Sequence, residues 1–240
     1  MLLLALVAGA YGIGVGQSTL VRPALVLGQD AITDAASANV TVTLEDVGGQ
    51  VIHVAATGQR KAVFLFYPGG LVRPQAYEWL GRALAAYGIE TWIPVMPFDL
   101  AVLGSDRAAA IIAHVGAVPV VIGGHSLGGT MAADYASKHA AQLAGMVLCA
   151  SYSQSSVTVT ESWPALSLRA GNDGVAAAAD VEGGLARLPA GSTVVTIDGA
   201  VHAFFGRYGP QKGDGVPTVA RPDAERQIID TIRTYIAARL

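Results

Sequence analysis

The chain has 240 residues, 52% of them hydrophobic and 14% charged, with a net charge of −3 and a mean hydropathy of +0.46. That length supports one domain with a substantial core, and the composition excludes a disordered or solvating chain. No Lys/Arg cluster occurs, which argues against a nucleic-acid partner. The only cysteine, Cys149, excludes an internal disulfide and a cysteine-based metal site.

Residues 1–21, MLLLALVAGAYGIGVGQSTLV, carry no charged side chain before Arg22. Spanning a bilayer takes about 20 mostly apolar residues, and Ala8-Gly9-Ala10 offers the small-residue pattern of a cleavage site. The segment is therefore read as a membrane anchor or export signal, with membrane association through residues 1–21 and a location in the cell envelope. The alternative is a terminal helix of a cytoplasmic protein. Residues 22–39 form a weakly patterned lead-in, and residues 40–240 the main domain.

From there the pattern organises. Val40, Val42 and Leu44 alternate with polar residues and predict a half-buried strand over 38–46. A Val-Gly-Gly turn and a strand over 50–57 complete an antiparallel hairpin. The continuous apolar run 61–70 ends in glycines. A helix follows over 74–88, opened by Pro74 and stopped by Gly88. The remaining expectations are strands over 89–96, 119–124, 143–151, 164–171 and 192–199, and helices over 106–116, 127–140, 174–189 and 223–240. Apolar strands alternating with helices predict an α/β fold with a mostly parallel sheet covered on both faces. Sites in such sheets gather at the carboxyl ends of the strands.

One of those ends carries Gly124-His125-Ser126-Leu127-Gly128, a G-x-S-x-G pattern between an apolar strand and a helix. That context is what a nucleophile elbow requires. A side chain at Gly124 or Gly128 would clash where strand and helix approach, and the helix N-terminus favours developing negative charge. A serine nucleophile needs a base. Of the five histidines, His202 lies on the loop after the last strand and is the candidate. His53 belongs to the hairpin, His114 and His139 sit near helix ends, and His125 diverges from Ser126 in a sharp turn. Asp173 directly follows the strand 164–171 and is the candidate acid. Asp180 is placed on the next helix, and Asp198 is too near His202 to fold back on it. The order Ser126, Asp173, His202 is that of α/β-hydrolases. An oxyanion hole is expected from the backbone N–H of Leu127 and of Gly70, with Leu71 as the alternative to Gly70.

The stretches FYPGG, GGHSLGG, GNDG and HAFFGRYGPQKGDG resemble the bacterial "alpha/beta hydrolase fold-5" family, related to dienelactone hydrolases, over about Val40 to Arg233. The resemblance implies Ser126 as nucleophile, Asp173 as acid and His202 as base. It also implies an α/β-hydrolase fold, and members often carry an N-terminal apolar segment. Two departures stand out. Pro68-Gly69 occupies the place where many relatives have His-Gly. Serine replaces the cysteine nucleophile of dienelactone hydrolases proper, so lactone hydrolysis does not carry over.

The expected reaction is hydrolysis of a carboxylic ester through an acyl-serine, with no metal or organic cofactor. Only a dozen or so residues, 152–163, separate two strands where this fold often inserts a lid, too few for a cap domain. Tyr67, Phe204 and Phe205 flank the candidate loops and are expected to shape a pocket for a small-molecule ester. Gln211 and Asp214, in the glycine-rich stretch 206–217, read as parts of a solvated loop. Two alternatives are kept: a non-catalytic hydrolase-fold binding protein, against which the presence of Ser126, Asp173 and His202 together argues, and acyl transfer to an acceptor other than water. Oligomeric state is left open.

Overall fold

A computed structural model of the protein describes residues 23–240. The anchor or signal reading of residues 1–21 lies outside the described residues. Among the described residues, no helix is long and apolar enough to cross a membrane.

Eight strands form one sheet: β1 Val42–Asp46, β2 Gln50–Val54, β3 Ala62–Tyr67, β4 Ile89–Pro94, β5 Val120–His125, β6 Gly145–Cys149, β7 Leu166–Ala170 and β8 Thr193–Ile197. Their order is β1-β2-β4-β3-β5-β6-β7-β8. β1 pairs antiparallel with β2, and β2 antiparallel with β4; every later pairing is parallel. The hairpin is thus an antiparallel edge on a parallel sheet, as its alternating pattern predicts. The helices are α1 Ala35–Ala38, α2 Glu78–Ala85, α3 Arg107–Val115, α4 Leu127–His139, α5 Ala178–Gly184 and α6 Arg221–Ala237.

β3 shows how sequence becomes layers. All six of its residues are buried, and alternate side chains point to opposite faces. Ala62, Phe64 and Phe66 enter one core with Leu80 and Leu84 of α2 and Ile228, Ile232 and Ile236 of α6. Val63, Leu65 and Tyr67 enter the other with Ile111 of α3 and Met131, Ala132 and Ala136 of α4. Burying each such large apolar side chain contributes about 1.5–3 kcal/mol, so the doubly covered strand anchors the fold. β5, next to β3, brings Ser126 to the middle of the sheet's carboxyl edge.

Two expectations shift. The helix predicted over 174–189 reduces to α5 and a 3-10 turn over Leu185–Arg187. The Asp173 carboxylate takes the N–H groups of Val175 and Ala176 at 2.8 and 2.7 Å, which curls the chain before a helix can start. The lead-in is fastened to the body. The Gly28 N–H donates to both oxygens of buried Glu78, and Arg82 reaches the carbonyls of Ser37 and Val40. Between β6 and β7 the chain forms no helix or strand, so no cap covers the carboxyl edge at that point.

Candidate active site

Ser126 follows β5 directly with φ 52° and ψ −125°, outside the conformations that L-residues favour, and immediately precedes α4. Such a backbone costs on the order of 1–3 kcal/mol and persists only where the surroundings enforce it. Here they do. The Ser126 N–H donates to the Cys149 carbonyl at 3.0 Å, and its own carbonyl accepts from the Ser151 hydroxyl at 2.7 Å and the Thr130 N–H at 3.1 Å. The glycines are steric necessities. A Cβ on Gly128 would sit 2.2 Å from the Tyr67 carbonyl oxygen, and one on Gly124 would sit 2.5 Å from the Gly128 backbone.

Asp173 and His202 meet. Nδ1 of His202 lies 2.9 Å from Asp173 Oδ2 and 3.1 Å from Oδ1, with both side chains almost fully buried. Because an ionised carboxylate only accepts, Nδ1 carries the proton and Nε2 of the neutral ring is the acceptor. Nε2 is buried and has no hydrogen-bond partner. The His202 ring packs 4.5 Å from that of His125, the residue before Ser126.

The other histidines are engaged elsewhere. His53 bonds Glu45 and stacks on Trp92; His114 packs edge-on against Trp92; His139 stacks on Tyr135. His125 is buried, with Nδ1 2.8 Å from the Tyr77 hydroxyl. That hydroxyl already accepts the Gly69 N–H at 2.9 Å, so it donates its own proton to Nδ1. Burial, and secondly the adjacent His202, hold the His125 pKa well below the usual imidazole range. His125 is therefore a neutral acceptor that ties the Gly69–Gly70 loop down through Tyr77.

Within that loop the N–H groups of Gly70 and Leu71 differ. The Leu71 N–H is taken by the Asp99 carbonyl at 2.8 Å, and the Val72 N–H by the Gly69 carbonyl at 3.1 Å. Pro68 has no N–H, and Gly69 is bound to Tyr77. Gly70 is left as the loop's unengaged donor. A Cβ on Gly70 would lie 3.1 Å from the Leu127 side chain, so the Gly70 loop and the start of α4 adjoin. Leu127 opens α4, where N–H groups have no intrahelical acceptor.

The three aromatic residues divide. Tyr67 is fully enclosed, its hydroxyl donating to the Ser105 carbonyl and accepting from the Ala108 N–H at the start of α3. It anchors that helix rather than lining a pocket, because β3's alternation turns it into the core. Phe205 is also core, with its ring 5.8 Å from His125. Phe204 lines a cavity with Tyr208 and stacks under Arg221 at 4.3 Å. A separate cleft of about 370 Å³ opens beside the Gly70 loop, walled by Leu71, Val72, Arg73, Tyr208 and the lead-in residues Pro23 and Asp30.

Sequence reasoning missed Asp214. Its carboxylate is not solvated loop. Oδ1 accepts the N–H groups of His202 (3.0 Å), Gly215 (2.8 Å) and Gly174 (3.3 Å), and Oδ2 that of Ala203 (2.9 Å). One side chain thereby joins the loop that carries Asp173 to the loop that carries His202. Glycines allow the close approach: a Cβ on Gly215 would lie 1.9 Å from the Asn172 carbonyl, and one on Gly174 would lie 2.3 Å from that of Gly213. Gly-Asp-Gly twelve residues past His202 is the signal that marks it. The Gln211 side chain accepts from the Tyr208 hydroxyl, and its carbonyl takes the Asp214 N–H.

A parallel sheet whose central strand ends in a strained serine at a helix N-terminus, with an Asp–His pair on two later loops, defines a hydrolase of the α/β type. The chain belongs to the alpha/beta hydrolase family, whose profile matches residues 63–226, from β3 into α6. That span includes Ser126, Asp173, His202 and Asp214. A search of curated proteins found no match. Among the described residues, no group of three or more His, Cys, Asp or Glu is arranged to hold a metal ion.

Proposed function

We propose that the protein is a serine hydrolase of carboxylic esters, with Ser126 as nucleophile, His202 as base and Asp173 as its orienting acid. The observation that carries this reading is the buried Asp173–His202 pair, whose outer imidazole nitrogen is an unpartnered acceptor and whose ring packs 4.5 Å from that of His125, the residue before Ser126. In free enzymes the serine–histidine bond often tightens only when substrate arrives.

In this mechanism Nε2 of His202 takes the Ser126 proton as Oγ attacks the ester carbonyl. The new oxyanion accepts from the N–H groups of Gly70 and Leu127, a contribution of about 3 kcal/mol per donor in comparable sites. Asp173 holds the Nδ1 proton and stabilises the imidazolium. Collapse of the intermediate transfers the proton from His202 to the departing alcohol and leaves an acyl-serine. Water, deprotonated by His202, then releases the acid. Tyr77 and His125 position the Gly70 loop, and Asp214 positions both His202 and Asp173. The uncapped edge leaves room for small or medium uncharged esters.

A fluorophosphonate probe tests the assignment. The wild type should label and Ser126→Ala should not; equal labelling of both would remove Ser126 as the nucleophile. A p-nitrophenyl ester series of increasing chain length reads the acyl preference, and turnover of no member would favour a binding role.

A further inference from the structure

We infer that the carboxyl edge of the sheet, the edge bearing Ser126, is a docking face for an uncharged lipid bilayer. Most of the exposed large hydrophobic side chains gather at one edge; Leu44, Tyr87 and Leu240 lie elsewhere. Leu71 follows β3; Phe98, Val102 and Leu103 follow β4; Val175 follows β7; Val216 follows β8. All six therefore sit on loops at one edge. Val26 and Ile32, also exposed, lie on the lead-in, which is bonded to Gln75 in the turn between β3 and α2 and to Arg207 after β8, again at that edge. Isolated exposed apolar residues need no explanation, but a concentration of them around one site marks an interaction surface.

Two of these side chains, Leu71 and Phe98, stand on loops that are hydrogen-bonded to each other. Leu71, Phe98 and Asp99 all have positive φ, and the Leu71 N–H to Asp99 carbonyl bond straps the two loops together. This geometry presents Leu71 and Phe98 outward, although nothing within the described body covers them.

Two observations select a bilayer as the occupant. The described body begins at this face, where Pro23 lines the same cleft as Leu71, and in the sequence before Arg22 residues 1–21 carry no charged side chain. Insertion of that segment into a membrane would bring this edge against the lipid. The charged groups of the rim also largely neutralise one another: Arg73 pairs with Asp99, Arg207 with Glu225, and Asp214 is saturated by backbone N–H groups. Asp30, Asp46, Asp106, Arg107 and Lys212 also stand nearby, three acidic and two basic, and offer no net attraction for anionic headgroups. Apolar contact with a zwitterionic surface is what this face fits. Docking this way turns Ser126 toward the bilayer, so esters residing in the lipid reach it directly. That consequence rests on the ester-hydrolase reading, whereas the docking itself does not.

The test uses the full chain with phosphatidylcholine vesicles. Cys149 is buried, and burial pushes its thiol pKa upward, so a cysteine introduced at the surface can be labelled selectively. Leu103→Cys and Val216→Cys report the docking face; Ala117→Cys, at an exposed position between α3 and β5 on the opposite edge, is the control. With an environment-sensitive fluorophore, both face positions should shift to the blue on vesicle addition and be quenched by doxyl-labelled lipid, while the control stays aqueous. Face positions that remain aqueous would overturn the proposal. So would an equal shift at the control, or a blue-shifted face probe before vesicles are added, which would mean that the chain's own apolar segment covers the face. Fluorophosphonate labelling of the same samples reports Ser126 reactivity separately, so either reading can fail without the other.

Discussion

Removing the Asp214 carboxylate tests whether the loops bearing Asp173 and His202 are held together by a third group. Asp214→Ala leaves the N–H groups of His202, Ala203, Gly174 and Gly215 without their acceptor. A hydrogen bond to a charged group is worth about 1.5–3 kcal/mol, and an orphaned buried donor costs a similar amount. These contributions overlap, and Gly174 at 3.3 Å is the weakest of the four. Water replaces part of the loss because the loop is only half buried. A net loss of about 3 kcal/mol in holding the loops together is expected, which corresponds to roughly 100-fold in the population of the assembled site. Asp214→Asn keeps the size but turns an NH₂ group toward at least one of these N–H donors, so it should also fail, by about tenfold or more. The assay is kcat/KM on a p-nitrophenyl ester, together with the rate of fluorophosphonate labelling and the pH profile of each. Loss should fall mainly on kcat, and the limb of the profile that reports the base should move, because His202 loses its fixed orientation to Asp173. Thermal unfolding should change only modestly, since no core contact is removed. Wild-type kcat/KM and an unmoved profile in Asp214→Ala would refute the reasoning.

Tyr77→Phe should lower kcat by about 10-fold with little effect on KM, because the Gly69 N–H and His125 Nδ1 both lose their buried partner and the Gly70 donor drifts; steady-state kinetics checks this. Gly128→Ala should yield little soluble protein, since its Cβ would meet the Tyr67 and Pro68 carbonyls at 2.2 and 2.3 Å, backbone that cannot move aside; expression yield and urea unfolding read the outcome. His53 sits between Glu45 and Glu90. Burial alone would lower its pKa, but bonding and attraction to the two carboxylates outweigh burial and raise it. Its stabilising contribution is therefore complete below the unfolded value near 6.5 and disappears as pH rises through the higher folded value. The stability difference between wild type and His53→Gln, measured by urea unfolding, should shrink across that window. Glu90, held at about 2 chiefly by His53 and Trp92 against its burial, contributes in the opposite sense: its stabilisation is present above the unfolded value of 4.5 and lost as pH falls toward 2.

The sequence by itself determined the class of fold and singled out Ser126, Asp173 and His202 as candidates. Period-2 and continuous apolar runs report burial directly, and β3 and β5 are legible for that reason. Glycine pairs around Ser126 announce a close approach because no other residue tolerates it. Asp173 and His202 each follow a strand, so topology alone puts them on one edge. Tertiary structure decided what no local pattern encodes: which N–H groups remain free, and which side chains join segments far apart in the chain. Leu71 and Gly70 look equivalent as neighbours until the Asp99 carbonyl takes one of their N–H groups. Tyr67 sits at a strand end like a pocket residue, yet its place in the alternation turns it into the core. Asp214 reads as solvent-facing in a polar, glycine-rich run, because its partners lie on backbone as much as 40 residues away. Hydrogen bonding to backbone leaves no mark on the identity of the partner residue, so only the folded arrangement reveals it.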